Sequence, residues 1–309
     1  MVNSKVRLFI IIAPTASGKN QVAISIAPGL NAEIISIDSM KVYRGLDIST
    51  AKPKTIPDVK YHLIDVVDPW ESFNLARFVE YCDQAIRQIV ARGKQPLLVC
   101  GTPLYLKGLL SGVFKGPVVQ EELRTQLKTI AQEKGNDFLH KKLQKVDPAK
   151  ASQIHPNDLR RIIRALEVYQ TTRQPLSTLQ TQFNQRRPEY EPVMIGLKRE
   201  RTDLRKRIEE RVERMFAAGL VEETQRLLKI NPPVSKQVQQ AVGYKEVVRY
   251  LHKDISLEEA KALVRSNTWT LARRQMNWFK RFPETNWFDI GSEDTAHHVA
   301  KRIKGLFPK

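Results

Sequence analysis

Apolar positions fall into two patterns along this chain, and the change comes near residue 115. Before it they form short unbroken runs: Leu8-Phe9-Ile10-Ile11-Ile12, Glu33-Ile34-Ile35-Ser36-Ile37, Tyr61-His62-Leu63-Ile64-Asp65-Val66-Val67 and Leu97-Leu98-Val99-Cys100. Short apolar runs rich in β-branched residues predict buried strands of a parallel sheet. Between them, residues 21–27 predict a helix. Residues 73–90 predict an amphipathic helix whose stripe is Ala76, Val79, Ala85, Ile86, Ile89 and Val90, stopped by Gly93 and Pro96. Strands alternating with helices indicate an α/β fold.

From about Lys115 to Pro188 the runs disappear and helical spacing takes over: Leu123, Leu127 and Ile130, then Leu139, Leu143 and Val146, then Leu159 to Tyr169. In the last of these, Leu159, Ile162, Ile163 and Leu166 share one face, and Arg160, Arg161 and Arg164 gather on the other. Strand character returns at Pro192–Leu197. Helices are then expected over 204–215, over 238–251 with Gly243 inside it, and from the capping box Ser256-Leu257-Glu258-Glu259 to about Lys280. A glycine inside a helix costs about 1 kcal/mol against alanine, so close approach of a backbone or ligand is expected at Gly243. Core placement would take in Trp269, Met276 and Phe279, and it is the expectation for the aromatics among them. This gives three segments: a core domain over 1–115, an all-helical insertion over 116–189, and the rest of the core with basic C-terminal helices over 190–309.

Charge alters the picture more than composition does. The 309 residues carry 51 Lys and Arg against 33 Asp and Glu, a net charge of +18, so a polyanionic partner is expected, nucleic acid before a membrane surface. No apolar run reaches the roughly 20 residues that cross a bilayer. Met1–Lys5 leads straight into the first strand with no leader pattern, and only Cys82 and Cys100 are present, which excludes a disulfide scaffold and a Cys₄ zinc site. A cytoplasmic protein is expected, and nothing demands a dimer.

The candidate chemistry sits at the strand ends. After the first strand comes Ala13-Pro14-Thr15-Ala16-Ser17-Gly18-Lys19-Asn20, then a helix. Strand, tight loop with Gly-Lys, and helix form the layout of a phosphate-cradling P-loop, in which backbone N–H groups and a lysine face an anion. The pattern G-x-x-x-x-G-K-[ST] is met except at Ala13, which suits a negative φ, and at Asn20, whose amide oxygen stands where a hydroxyl usually meets Mg²⁺. Asp38 and Thr102 end the second and fourth runs, where open parallel sheets bind ligands. Either residue would equally serve as a helix N-cap.

Together the motifs carry a resemblance. Ala13–Lys19, Ile35-Ser36-Ile37-Asp38-Ser39, Val42–Ile48, Thr50-Ala51-Lys52-Pro53, Gly101-Thr102-Pro103-Leu104-Tyr105, His155-Pro156-Asn157-Asp158, Arg164–Val168, Gly243-Tyr244 and Arg274-Gln275 occur in order. As an ordered set, from about residue 8 to 290, they resemble the bacterial tRNA dimethylallyltransferases, the IPP transferase family. The resemblance implies a P-loop NTPase-like parallel sheet flanked by helices, with an all-helical insertion gripping the tRNA anticodon stem-loop. It implies transfer of a dimethylallyl group from dimethylallyl diphosphate to N6 of the adenosine just 3′ of the anticodon, with Mg²⁺ as cofactor. Asp38, Thr102 and Lys19 match the catalytic set. Ala13, Pro14, Thr15, Ala16, Ser17, Gly18, Lys19 and Asn20 match the diphosphate loop, with Arg211, or in reserve Arg207, completing the clamp and Asn20 at the metal position. The implied tRNA contacts are Asp38, Ser39, Met40, Lys41, Thr102, Arg124, Arg160, Arg161, Ile162, Ile163, Arg164, Gln240, Ala241, Val242, Gly243, Tyr244, Lys245, Arg273, Arg274, Gln275, Met276, Asn277, Trp278, Phe279 and Lys280.

The chain departs from the family pattern at Ala13, Asn20, Ser49, Cys100 and Pro103. Three other functions share parts of the sequence. A P-loop kinase for a nucleotide or small molecule would use the same loop for ATP. An adenylate isopentenyltransferase would alkylate free nucleotides. An RNA-binding protein with a decayed site would bind tRNA and release no diphosphate.

Overall fold

The computed structural model describes residues 5–53, 59–114, 116–117, 120–180 and 185–307; Met1–Ser4 and the boundary at 115 fall outside them. Two compact units emerge, Met1–Leu110 with Pro188–Lys309, and Ser111–Arg187.

The larger unit is built on six strands. In chain order it contains β1 (Val6–Ile12), α1 (Lys19–Ile26), β2 (Ala32–Ile37), β3 (Tyr61–His62), α2 (Leu75–Ala91), β4 (Gln95–Cys100) and α3 (Pro103–Ser111). The sheet has the order β3-β2-β4-β1 and then two later strands, all parallel. Side chains alternate across it. Leu8, Ile10, Ile12, Ile35, Ile37, Leu98 and Cys100 pack with Phe78, Cys82, Ile86 and Ile89 of α2 on one face. Phe9, Ile11, Ile34, Leu97 and Val99 pack with Val22, Ala23 and Ile26 of α1 on the other. Both faces are covered, which is why these strands read as continuous apolar runs.

The smaller unit holds α4 (Glu121–Lys134), α5 (Asn136–Val146), α6 (Pro148–Ala151), α7 (Leu159–Thr172) and α8 (Leu176–Leu179). Its own core is made of Leu127, Leu139, Leu143, Ile162, Ile163 and Leu166 with their neighbours. The chain then returns to the sheet through β5 (Tyr190–Arg199), followed by α9 (Arg201–Ala217), α10 (Leu220–Leu228), α11 (Tyr244–Leu251), α12 (Leu257–Phe279), β6 (Asn286–Ile290) and α13 (Ala296–Lys304). β5 pairs with β1, and β6 closes that edge.

Several local expectations are corrected. The run from Tyr61 is a strand for two residues only; Leu63 and Asp65 take positive φ of 62° and 55°, and the amides of Val66 and Val67 both bond to Val42 O. Leu63 and Val67 are buried, so the apolar run reported burial and not extension. The buried stripe of α2 is Phe78, Cys82, Ala85, Ile86 and Ile89, while Ala76 and Val90 face solvent. Gly243 is not inside a helix: a 3₁₀ turn ends at Gln240, and Gly243 stands at φ 99° as the N-cap of α11, where its N–H donates to Glu246 Oε2 at 2.7 Å. At that φ glycine is the fitting residue and the mid-helix penalty does not arise. On α12, Phe279 is in the core, but Met276 and Trp269 are only partly buried, and Trp269 lies under the guanidinium groups of Arg201 and Arg205.

Candidate active site

Sheet register assembles the site. Ile12 of β1 lies opposite Cys100 of β4 and Gly196 of β5, and Cys100 lies opposite Ile37 of β2. The residues that follow β1, β4 and β2 therefore leave the sheet at the same level: Ala13, Gly101 and Asp38. Backbone bonds fix the three together, with Ala13 N–H donating to Cys100 O and both Gly101 and Thr102 N–H donating to Ile37 O.

Ala13 is fully buried and is not among the positive-φ residues, so alanine fits the first P-loop position. The loop turns instead at Ala16, φ 62°, and Gly18, φ 92°. Three arginines brace it from outside. Arg199, at the end of β5, donates from Nε to Ser17 O at 2.8 Å. Arg207 Nε donates to Ala16 O at 3.0 Å, and Arg211 Nη1 to Thr15 Oγ1 at 3.3 Å. Their spacing on α9 places Arg207 and Arg211 one turn apart on the face turned to the loop. The N–H groups of Ala13, Thr15 and Ser17 are taken by Cys100 O, Gln275 Oε1 and Pro14 O, and those of the loop that no protein oxygen takes are left to face an anion.

The catalytic candidates meet above Gly101. Asp38 Oδ1 accepts from the N–H groups of Met40 at 2.9 Å and Lys41 at 3.2 Å. Asp38 Oδ2 and Lys19 Nζ lie 3.3 and 3.6 Å from the position a Cβ on Gly101 would take, so the bare backbone there keeps open a gap that a carboxylate and an ammonium both face. Thr102 is not a side-chain cap: its Oγ1 accepts from Ser39 N–H at 3.0 Å and donates to Ser39 Oγ at 3.5 Å. Burial, helped by Lys41 and Arg211, pulls the Lys19 ammonium down to about 8 against the opposing pull of Asp38. Lys41 is likewise brought to about 8, by burial first, with Asp38 opposing. Burial lowers Arg211 as well. This cluster holds more positive charge than its one carboxylate balances, which favours an anionic ligand.

Two cavities open on this cluster. A smaller one, about 110 Å³, is lined by Thr15, Asp38, Lys41, Ser49, Thr50, Ala241, Val242, Leu271 and Gln275. A larger one, about 470 Å³, is lined by Ala16, Gly18, Gln21, Asp47, Ile48, Lys52, Arg207 and Arg214. Lys19, Asn20, Arg211 and Met215 belong to both. The hydroxyls of Ser17 and Ser49 are buried without a protein partner. Buried polar atoms are normally satisfied, so both hydroxyls fit a site completed by ligand oxygens.

The implied RNA contacts divide by exposure. Arg160, Arg161, Gln240, Arg273, Arg274, Asn277 and Lys280 are exposed, and Lys245, Val242, Met276 and Trp278 are partly so. Ile162, Ile163, Ala241, Tyr244 and Phe279 are core residues, and Gly243 is buried at its cap. Gln275 is also internal: Oε1 accepts from Thr15 N–H at 2.8 Å and Nε2 donates to Gly101 O at 2.5 Å. Within the helical unit, Arg164 does not stand with Arg160 and Arg161. It pairs with the buried Glu167 at 2.6 Å, and Arg124 engages both oxygens of the same carboxylate at 2.9 and 3.0 Å. Those arginines hold the Glu167 carboxyl below its usual range against the effect of burial.

Sequence reading missed Arg199 and the internal role of Gln275. Arg199 ends a strand, the signal that singled out Asp38 and Thr102, but its neighbours Lys198, Glu200 and Arg201 hid it in a charged run.

A parallel sheet whose first loop is braced around an anion cradle, with a carboxylate at the adjoining strand end, defines a P-loop-type group-transfer site. The sequence model of the family described as IPP transferase matches residues 41–282. The chain is 43% identical to the tRNA dimethylallyltransferase of Symbiobacterium thermophilum over 98% of this chain and 95% of the relative. It is 43% identical to that of Geobacter sulfurreducens over 98% of each. Among solved structures, the tRNA isopentenylpyrophosphate transferase from Bacillus halodurans superposes with a TM-score of 0.70 at 38% identity, covering 98% of this chain and 97% of that one. A eukaryotic dimethylallyltransferase acting on tRNA gives 0.76 at 27% identity, covering 96% and 78%. The chain belongs to the IPP transferase family. The P-loop and Asp38 precede the matched segment, and the sheet register is what ties them to it.

Proposed function

We propose that this protein is a tRNA dimethylallyltransferase: it moves a dimethylallyl group from dimethylallyl diphosphate to N6 of the adenosine 3′-adjacent to the anticodon and releases diphosphate. The observation that carries this reading is the gap above Gly101, faced by Asp38 Oδ2 on one side and Lys19 Nζ on the other. Alkylation of an amine by an allylic diphosphate needs a proton acceptor and a cation beside the same carbon. The near full-length likeness to tRNA dimethylallyltransferases favours this over a P-loop kinase or a free-nucleotide transferase.

The chemistry follows from the groups present. As the carbon–oxygen bond breaks, negative charge grows on the diphosphate, where Lys19, Arg211 and the loop N–H groups stabilise it. The exocyclic amine of adenine is a weak nucleophile because its lone pair is shared with the ring. Asp38 orients it and takes its proton, and general-base help of this kind is worth about 10²–10⁴ in rate. Thr102, whose oxygen accepts from Ser39 N–H, holds its proton only in a long 3.5 Å bond to Ser39 Oγ and can turn it to the substrate. The target base leaves its stack to reach the crevice, as base-modifying enzymes require. The exposed Arg160 and Arg161 and the basic face of α12 supply backbone contacts to the anticodon stem-loop.

Among the described residues no group of three carboxylate, histidine or cysteine side chains forms a metal cage. Mg²⁺ commonly binds through substrate phosphates and few protein oxygens, and Asn20 with Ser17 Oγ fits that donor set. When bound, the ion would neutralise charge on the departing diphosphate. We read the protein as a monomer outside the membrane; no described helix is long and apolar enough to cross one.

The test is incubation of unmodified tRNA with dimethylallyl diphosphate, followed by mass analysis of nucleosides. Prenylated adenosine is expected with the native enzyme and none with Asp38→Ala, which should still bind tRNA. Phosphoryl transfer from ATP with no prenylated product would overturn the reading.

A further inference from the structure

Glu223 lies in the first turn of α10 and is 2% exposed. Its carboxylate is held by backbone: Oε2 accepts from the N–H groups of Asp47 at 2.8 Å and Ile48 at 2.7 Å, and Oε1 from that of Ser49 at 3.0 Å. Three successive amides converging on one anion is the geometry with which backbone captures phosphate. Here the anion belongs to the chain itself, 175 residues from Ile48.

The captured segment is a strap over the candidate site. It closes on itself, with Lys52 N–H donating to Asp47 O at 3.0 Å, Thr50 Oγ1 to Leu46 O at 2.5 Å, and Lys52 Nζ to Tyr43 O at 2.7 Å. Ser49 and Thr50 wall the smaller cavity, which Asp38 also lines. Asp47, Ile48 and Lys52 wall the larger one, which Gly18 and Arg207 also line. Glu223 lines neither cavity, so it reaches the chemistry only through the strap.

We infer that Glu223 is a positioning residue that keeps the 47–52 strap shut over the allylic group, so that adenine and not water meets the carbon as diphosphate departs. The inference rests on the proposed function. In the productive reaction the C1–O bond to diphosphate breaks, a C1–N6 bond forms, and the N6 proton passes to Asp38. If the strap opens, water supplies the electron pair: a C1–O bond to the water oxygen forms, that oxygen loses its proton to solvent, and the products are dimethylallyl alcohol and diphosphate. Excluding water from a reactive intermediate is a general function of closed sites. Glutamine at 223 would turn an N–H₂ group towards one of the three amides, and aspartate would fall one methylene short.

The experiment measures diphosphate released and prenylated adenosine formed in the same reaction, with full-length enzyme, dimethylallyl diphosphate and unmodified tRNA. The native ratio is expected near one. Glu223→Gln is expected to raise it severalfold, with dimethylallyl alcohol accounting for the excess, and Glu223→Asp to give an intermediate ratio. A residue that merely holds the fold would lower both products together, so variants whose ratio stays at one overturn the inference while leaving the function intact. Thermal unfolding of each variant accompanies the assay, and Glu223→Asp, which keeps the charge, carries the comparison if the glutamine variant is poorly folded. Native enzyme that forms no prenylated adenosine overturns the proposed function, and the inference with it.

Discussion

Gln275 Oε1 accepts the N–H of Thr15 across 260 positions of sequence, while the same amide donates to Gly101 O. One side chain of α12 thus sets the spacing between the P-loop and the end of β4. Gln275→Leu leaves the buried Gly101 carbonyl unpaired, at about 1–3 kcal/mol, and the partly buried Thr15 N–H, at less. The expected result is a lower unfolding midpoint in urea and a raised KM for dimethylallyl diphosphate, with tRNA affinity unchanged. Loss of tRNA affinity alone would mean that the residue faces RNA.

Gly101→Ala probes the gap directly. Its new methyl meets Asp38 Oδ2 at 3.3 Å and Lys19 Cε at 3.5 Å, tighter than ordinary contact at the carboxylate. A misplacement of about 1 Å at reacting groups costs about 10²-fold in rate, and the smaller displacement needed here costs less. The single-turnover rate constant should fall by up to about tenfold, with stability nearly unchanged.

The lysines give a pH signature. Lys19 and Lys41 are each brought from 10.5 to about 8 in the folded protein. Between those values the unfolded chain binds more protons than the folded one, so these groups make the ligand-free protein more stable as pH rises from about 8 towards 10.5. A bound diphosphate favours the charged ammonium and reverses the shift. Calorimetry with dimethylallyl diphosphate and no tRNA, in buffers of different ionisation enthalpy near pH 8, should show proton uptake that Lys19→Met reduces.

Asn20 decides the metal question. A threonine there restores a hydroxyl at the first turn of α1, so Asn20→Thr should lower the Mg²⁺ concentration that gives half-maximal turnover. An unchanged Mg²⁺ titration would remove Asn20 from the metal site.

The helical unit offers a contrast between arginines. Arg161 is exposed and pairs with the partly exposed Asp158 at 3.3 Å, whereas Arg124 grips a fully buried carboxylate. Arg161→Ala should weaken tRNA binding and reduce the slope of log affinity against log salt by about one. Arg124→Ala should instead destabilise the unit by about 3 kcal/mol, because Glu167 is left with a buried charge half paired. The carboxyl of Glu167 is depressed when folded, so its contribution is present at neutral pH and lost as pH falls through that lowered value.

Much of this was legible in order along the chain. The apolar runs located β1, β2, β4 and β5 because a doubly covered sheet leaves no polar alternation to blur them. That Asp38 would stand beside the Gly-Lys loop was legible because a parallel sheet brings its strand ends to one edge. What the sequence hid were contacts made across it. Arg199, Gln275 and Glu223 all point their polar atoms at backbone, which has no residue code to match. The segment after Tyr61 misled because burial and extension leave the same apolar signature, and Gly243 misled because a cap and an interior position differ by one turn.

The position of β1 between β4 and β5 sets an order of events during synthesis. The most apolar strand of the protein emerges first, gains one neighbour when residues 95–100 arrive, and keeps its other edge bare until residue 190 leaves the ribosome. Everything between, the whole helical unit included, is translated while that edge waits. A chain stalled in this interval presents an open template for pairing with another chain. It also lacks every arginine that braces the phosphate loop, so a partial product is sticky before it can be active.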